Sequence, residues 1–492
     1  MADSQNEATP DSSVAPAAGS EPLGTVPASS SVVSRLSIMM FLQFFAWGAW
    51  FATLGAALDT AGLGSIIGDA YASAPIAAIF APLFLGLIAD RWFASEKVMG
   101  VLMLIGGGLL LVVPGIAEQG EVQSRLIVWL ILGHLACYMP TLGLGNTIAF
   151  THITDQSHFP KIRVWGTIGW IAAGLLVGLM GWSNSFNIFW LGAFSSILLG
   201  LFCFMLPNTP PPLRGKPLDV RSLLMVDAFK LFADFNFLIF ALCSTLICVP
   251  LAYYYGMTST YLNQTGFSQS AATMTLGQMS EIFFMLLIPF FFRTLGLKVM
   301  ILIGMAAWVI RYALFAFGAP DQITWMLLLS VAVHGICYDF FFVTGFMYTD
   351  QKAPTAIRGQ AQSLLVFLTQ GVGMFFGYKI MGAGKFLGID FGNWTIGEYG
   401  QQITSSEAYN AALKGARGEQ EAVSFLDSLT QMFSRSLPEG LDGQLLSETM
   451  GQWKNFWMFP SIMAAGVFVF FALTFWDKAK TPEEIAAAES AQ

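Results

Sequence analysis

The chain is poor in charge. Only 11% of its 492 residues are Asp, Glu, Lys or Arg, against about 25% in soluble globular chains. That deficit excludes a water-facing surface over most of the length. With 55% hydrophobic residues and a mean hydropathy of +0.63, it indicates a polytopic membrane protein. Cysteine is scarce too. Cys137, Cys203, Cys243, Cys248 and Cys337 lie in apolar stretches without CxxC spacing, so neither a metal site nor a disulfide framework is implied. GxSxG, HExxH and Walker sequences are all missing. The chain is therefore expected not to be an enzyme or an ATP-driven pump, and to need no cofactor. No basic patch with interleaved aromatics occurs, which argues against a nucleic-acid partner.

Apolar runs are abundant. About 20 such residues cross a bilayer. That rule places twelve spans near 36–58, 71–89, 98–117, 126–150, 164–182, 187–206, 236–256, 273–292, 298–318, 324–347, 361–384 and 455–476. The expected fold is an all-α membrane protein with twelve transmembrane helices in two six-helix bundles. Residues 1–35, rich in Ser, Ala, Pro and Glu, read as a disordered cytoplasmic tail. No basic n-region precedes Arg35, so a cleaved signal peptide is not expected. The N-terminal bundle covers 36–206. A Pro-rich, basic cytoplasmic linker covers 207–235. The C-terminal bundle covers 236–476, and 477–492 form a second cytoplasmic tail.

Basic residues set the orientation. With the N-terminus inside, fifteen of the 23 Lys and Arg fall on cytoplasmic segments, among them Arg35, Arg91, Lys97, Lys161, Arg163, Arg358 and Lys478. Both termini are expected in the cytoplasm. The segment 385–453 becomes a long external loop. Apart from Ala408–Arg435 it has little apolar periodicity, and its composition suggests short external helices without suggesting a role. Faint similarity between the halves supports duplication: Pro82-Leu-Phe-Leu leads to Lys97-Val-Met, and Pro289-Phe-Phe-Phe leads to Lys298-Val-Met. Duplicated halves around a midplane site are a common transporter design.

Polar groups inside apolar runs mark candidate sites. A carboxylate at mid-membrane costs roughly 2.5–3.5 kcal/mol on insertion scales and normally faces a bundle interior or an aqueous cavity. Gln278 and Glu281 in Thr275–Phe292 are spaced i, i+3, on one helix face. Asp339, within Cys337-Tyr338-Asp339, is the second intramembrane carboxyl, with His334 five residues earlier. Arg163, Thr167 and Trp170 fall at i, i+4 and i+7, also one face. By composition alone Arg163 also reads as a topogenic residue at the membrane edge. Arg311, Lys379 and His134 read as buried groups that neutralise carboxyls or bond carbonyls. Tyr138-Met-Pro140-Thr-Leu-Gly143 interrupts the fourth span.

Several stretches resemble a known family. Gly86-Leu-Ile-Ala-Asp90-Arg91 with Glu96-Lys97 resembles the cytoplasmic signature of the major facilitator superfamily. A closer resemblance, to the bacterial nucleoside:proton symporters of that superfamily, is carried by Phe41-Leu-Gln-Phe-Phe-Ala-Trp-Gly-Ala-Trp50, Tyr138-Met-Pro-Thr-Leu-Gly-Leu and Ile162-Arg-Val-Trp-Gly-Thr-Ile-Gly169. It continues through Gln278-Met-Ser-Glu281, Ala307-Trp-Val-Ile-Arg-Tyr-Ala-Leu-Phe-Ala-Phe-Gly318 and Ala356-Ile-Arg-Gly-Gln-Ala-Gln362. These motifs run in order along the chain but leave the N-terminal tail and most of 385–453 unmatched.

The resemblance implies a proton-coupled nucleoside importer of the bacterial inner membrane, working by alternating access and expected to act as a monomer. It implies a central cavity lined by Arg163, Thr167, Trp170, Gln278, Glu281, Tyr338 and Asp339. It moves Arg163 from a topogenic residue to a cavity cation able to pair with Asp339. Asp339 or Glu281 would carry the coupled proton, since burial raises a carboxyl pKa and a nearby Arg lowers it. Asp90, Arg91 and Lys97 would latch the inner gate. The family's seventh span carries a polar amide pair where this chain reads Val249-Pro-Leu-Ala-Tyr-Tyr-Tyr255, and His334 stands where the family has a phenol. Two alternatives stay open on sequence: a proton symporter for another polar solute such as a sugar or oligosaccharide, and a non-transporting nutrient receptor on the same scaffold.

Overall fold

A computed structural model describes residues 30–476, except 86–87, 89, 118, 154–158, 212–213, 216–218, 393 and 418–423. Residues 1–29 and the C-terminal tail expected at 477–492 lie outside the described residues. Among the described residues, ten helices are long and apolar enough to cross a membrane. Lipid offers no hydrogen-bond partner to an open backbone, so apolar runs of this length close their bonds internally as helices.

In chain order the helices are α1 (Ser30–Gly48), α2 (Leu54–Thr60), α3 (Ile67–Phe84), α4 (Ser95–Ala117), α5 (Ser124–His152), α6 (Phe159–Leu179) and α7 (Asn187–Cys203). After the 207–235 stretch come α8 (Phe235–Gln264), α9 (Ser270–Gly318), α10 (Thr324–Lys352) and α11 (Thr355–Met381). A two-stranded hairpin pairs Lys385–Phe386 with Ile389–Asp390. Then follow α12 (Ser406–Arg417), α13 (Phe425–Gln431) and α14 (Gly443–Thr474).

The first helix starts at Ser30, so the expected tail to 35 is too long. Val32 and Val33 pack on the core, and the Arg35 guanidinium donates to the Met205 carbonyl at 3.1 Å. These contacts extend the helix beyond its apolar run. The fourth span is not interrupted at Pro140: α5 continues through it from Ser124 to His152. Beside it, Thr141 Oγ1 donates to the Tyr138 carbonyl at 2.6 Å, and Gln43 Nε2 donates to Thr141 Oγ1 at 3.1 Å.

α9 is 49 residues long and breaks at Gly296, whose φ of 72° and ψ of 173° are not helical. A positive φ of this kind suits glycine alone at low cost. Helices before residue 207 pack chiefly on one another, as α4 on α5 and α7, and α1 on α6. Those after 235 do likewise, as α9 on α14 and α10, and α8 on α11 and α14. The two sets meet where α6 crosses α9, α3 crosses α11 and α2 meets α8.

Candidate functional site

Between the two sets lies a cavity of about 260 Å³. That is just under the range usual for small-molecule pockets, roughly 300–1,000 Å³. Its N-terminal wall is built by α1 and α6. Ile162, Gly166 and Gly169 are buried in the α1–α6 contact, which turns Arg163, Thr167 and Trp170 to the cavity. The Arg163 guanidinium lies 4.0 Å from the centroid of the Phe44 ring. Trp47 joins the wall, edge-on to Trp170 with ring centroids 5.3 Å apart.

The opposite wall is polar. Gln278 and Glu281 of α9, and His334 and Tyr338 of α10, all face the cavity. α9 and α10 approach closely: the Gly335 N–H donates to Ser280 Oγ at 2.9 Å. His334 stacks on Tyr254 with centroids 5.2 Å apart, and the Arg311 guanidinium covers the same Tyr254 ring at 3.6 Å. Arg311 Nε also donates to the Ser330 carbonyl at 2.9 Å, so this buried cation is used inside the C-terminal helices. Lys379 forms an ion pair with Asp69. Both agree with their reading as neutralising groups. His134 likewise bonds the Gly106 carbonyl.

The structure thus brings Arg163, Thr167, Trp170, Gln278, Glu281 and Tyr338 around one cavity, on two facing walls. Asp339 corrects the expectation. It is fully buried and is not among the lining residues. One residue past Tyr338 a helix has turned about 100°, and a π-helical turn, Asp339–Val343, begins at that point. Among the described residues, neither carboxylate oxygen of Asp339 has a hydrogen-bond partner. Arg163 forms no ion pair with Asp339 or Glu281 among the described residues. The expected Arg163–Asp339 pair is absent from this conformation.

Of the gate residues, the Asp90 side chain lies outside the described residues. Lys97 is exposed, while its neighbour Glu96 is buried and accepts the Thr209 N–H at 2.9 Å. Arg91 is half-buried and engaged.

Sequence reasoning missed Phe44, Trp47, Tyr255, Gln370 and Tyr378, which also line the cavity. Gln370 was findable as a lone carboxamide in the apolar run Leu364–Phe376. It sits in a second π-helical turn, Phe367–Gly373, a feature that recurs at functional sites. The aromatics carried no such signal, being indistinguishable from packing residues. Leu251 and Tyr255 line the cavity from the departing seventh-span stretch, as His334 does from α10. Both departures from the family pattern therefore stand in the wall.

One end of the cavity is shut. Tyr71 of α3 stacks on Tyr378 of α11 at 5.3 Å. The Tyr71 hydroxyl donates to the Phe51 carbonyl at 2.9 Å and accepts the Gly55 N–H at 3.1 Å. The Asp69–Lys379 pair crosses beside it.

The family model for the nucleoside H+ symporter matches residues 30–395. YegT of Escherichia coli (strain K12) is 43% identical over 360 residues, covering 71% of this chain and 83% of YegT. The nucleoside permease NupG of the same organism is 34% identical over 366 residues, covering 71% and 86%. Its xanthosine permease is 30% identical over 370 residues, covering 72% and 87%. The crystal structure of a mutant of nucleoside transporter NupG superposes with a TM-score of 0.72 at 28% identity, covering 90% of this chain and all of that one.

Proposed function

The chain belongs to the nucleoside H+ symporter family, and from that premise we propose how its cavity is used. The protein is a transporter and not an enzyme, a multi-pass inner-membrane protein importing nucleosides with protons by alternating access. One observation carries the site reading. The cavity, shut at one end, joins a cationic, aromatic wall (Arg163, Thr167, Trp170) to a polar one (Gln278, Glu281, Tyr338).

Trp170 and Tyr338 stack the base, since each presents a rigid π-face. Gln278 and Glu281 bond ribose hydroxyls or base edges. Glu281 is the one carboxyl among the described lining residues, so it is the group that can exchange a proton while in reach of substrate. Asp339 is the second proton carrier, one turn position behind Tyr338. Arg163 neutralises whichever carboxyl is ionised as the walls approach. Asp90, Arg91 and Lys97 latch the opposite, cytoplasmic end.

Two details of architecture complete the reading. The break at Gly296 divides α9 into two spans, and the 17-residue α7 crosses as well. The ten long helices then become twelve spans in two six-helix bundles, with both termini cytoplasmic. The closed end faces outside, and the transporter works as a monomer.

Uptake of labelled uridine into proteoliposomes tests this. Accumulation should depend on an inward proton gradient and be competed by nucleosides, not by sugars. Glu281→Gln should abolish gradient-driven accumulation. Uptake indifferent to the gradient removes proton coupling, and a fully active Glu281→Gln variant removes the role of Glu281.

A further inference from the structure

The long segment after residue 395 lies beyond the family match, yet it takes part in a buried polar network outside the cavity. Its centre is Asp59, at the end of α2 and buried. Three neutral donors reach its carboxylate. Gln264 Nε2 donates at 3.0 Å, Ser406 Oγ at 3.0 Å and Asn410 Nδ2 at 2.5 Å. Gln264 ends α8, and Ser406 and Asn410 belong to α12. No ion pair involves Asp59 among the described residues.

Among the described residues, the remaining side-chain bonds of α12 run to the C-terminal helices. Tyr409 donates its hydroxyl to the Gln264 carbonyl at 3.0 Å. Arg417 donates to Asn263 Oδ1 at 2.7 Å and to its carbonyl at 3.1 Å. Just before the helix, Ser405 Oγ bonds Thr449 Oγ1 at 2.8 Å, and the Ser405 N–H donates to Gln452 Oε1 at 3.1 Å. Trp453 Nε1 donates to Gln264 Oε1 at 2.8 Å, tying α14 into the same cluster. Tyr409, Asn410 and Leu413 are the buried face of α12, while Glu407, Ala411 and Lys414 are exposed.

We propose that α12 is a latch on the outer gate: it rides with the C-terminal helices and captures the Asp59 carboxylate of the N-terminal helices, holding the closed end shut. The inference rests on alternating access, which requires α2 and α8 to part in each cycle. Asp59 must then leave Gln264, Ser406 and Asn410, whereas the bonds to Asn263, Thr449 and Gln452 travel with the moving half. Charge makes the capture strong, because hydrogen bonds to an ionised acceptor are worth about twice neutral ones.

The test needs no substrate. Spin labels on the full-length protein in lipid nanodiscs at Ser65→Cys, between α2 and α3, and Ala411→Cys, on the exposed face of α12, report the gate by pulsed electron resonance. A second pair, Ala411→Cys with Ser447→Cys on α14, reports whether α12 stays docked. The intact protein should give one short 65–411 distance. Asp59→Asn should add a longer component, its population rising roughly tenfold for each charged hydrogen bond lost. Asn410→Ala should do so more weakly, and it guards against misfolding of the Asp59 variant. The 411–447 distance should hold in both. An unchanged 65–411 distribution in both variants overturns the latch. A broadened 411–447 distance overturns its docking on the C-terminal helices. Neither result bears on whether the substrate is a nucleoside, which uridine uptake decides separately.

Discussion

The approach of α10 to α9 at Gly335 gives a sharp test of the site. A Cβ added there would stand 2.5 Å from the carbonyl carbon and oxygen of Ser280 and 2.7 Å from the Glu281 nitrogen. Carbon contacts settle near 3.5–4.0 Å, so Gly335→Ala forces the two backbones apart by about 1 Å. Overpacking of this kind costs about 1–3 kcal/mol. Loss of the Gly335 N–H bond to Ser280 Oγ adds about 1 kcal/mol. Alanine's helix propensity returns about 1 kcal/mol. The net expectation is a destabilisation of about 1–3 kcal/mol. Function should suffer more, because Glu281 is pushed directly. A misplacement of about 1 Å can cost a site on the order of a hundredfold. Thermal unfolding followed by tryptophan fluorescence, with uridine uptake beside it, measures both. Gly466→Ala is the control: nothing lies within 4 Å of its Cβ position in α14, so it should be neutral or slightly stabilising. Gly335→Ala with wild-type stability and uptake would refute the close α9–α10 contact and the placement of Glu281 that depends on it.

Trp170→Ala should raise the uridine KM roughly five- to 150-fold, matching about 1–3 kcal/mol for an aromatic stacked on a base, while Trp170→Phe should keep most of the affinity. An unaltered KM in the alanine variant would remove Trp170 from the base site. A pH effect is expected at the base of α8. Lys352 Nζ at 2.8 Å and the Phe237 N–H at 3.1 Å hold the Asp234 carboxyl below the usual carboxylate range, Lys352 first. The folded value is therefore lower than the unfolded one of about 3.9. The contribution is complete above about pH 4 and is lost as pH falls through the folded value. Both groups are partly exposed, which limits it to about 1 kcal/mol. Asp234→Asn keeps the helix cap and should flatten that part of the Tm–pH curve between about pH 2 and 7; an identical curve would refute the assignment.

The membrane part of this protein was largely legible because lipid imposes one rule on every residue. A long apolar run must be a helix, and a costly polar group within it must face inward. Arg163, Thr167 and Trp170 share a helical face in the sequence and share a wall in the structure. Gln278 and Glu281 behave the same way. The rule says that a polar side chain avoids lipid, but not which interior surface receives it. Asp339 and Tyr338 are neighbours with opposite outcomes, one in the core and one on the cavity, and the π-helical turn that begins at Asp339 has no sequence signature.

Outside the bilayer the rule lapses, and legibility lapses with it. Apart from Ala408–Arg435, the segment 385–453 has little apolar periodicity, and none that announces a role. Tyr409 and Leu413 are buried in the core, and the segment is also tied down by polar side chains far apart along the chain. Asn410 and Asp59 are 351 residues apart, and Ser406 and Gln264 are 142 apart. Periodicity reports a residue's relation to its own helix. It carries nothing about a partner hundreds of positions away. A buried Asp59 at the end of the first span had the same cue as Glu281, a carboxyl beside an apolar run. The span boundary near 58 counted it as a loop residue, where a charge needs no explanation. Asp59 is 8% exposed, so water does not satisfy it. A single boundary misplaced by two residues therefore hid the carboxylate on which the outer network is built.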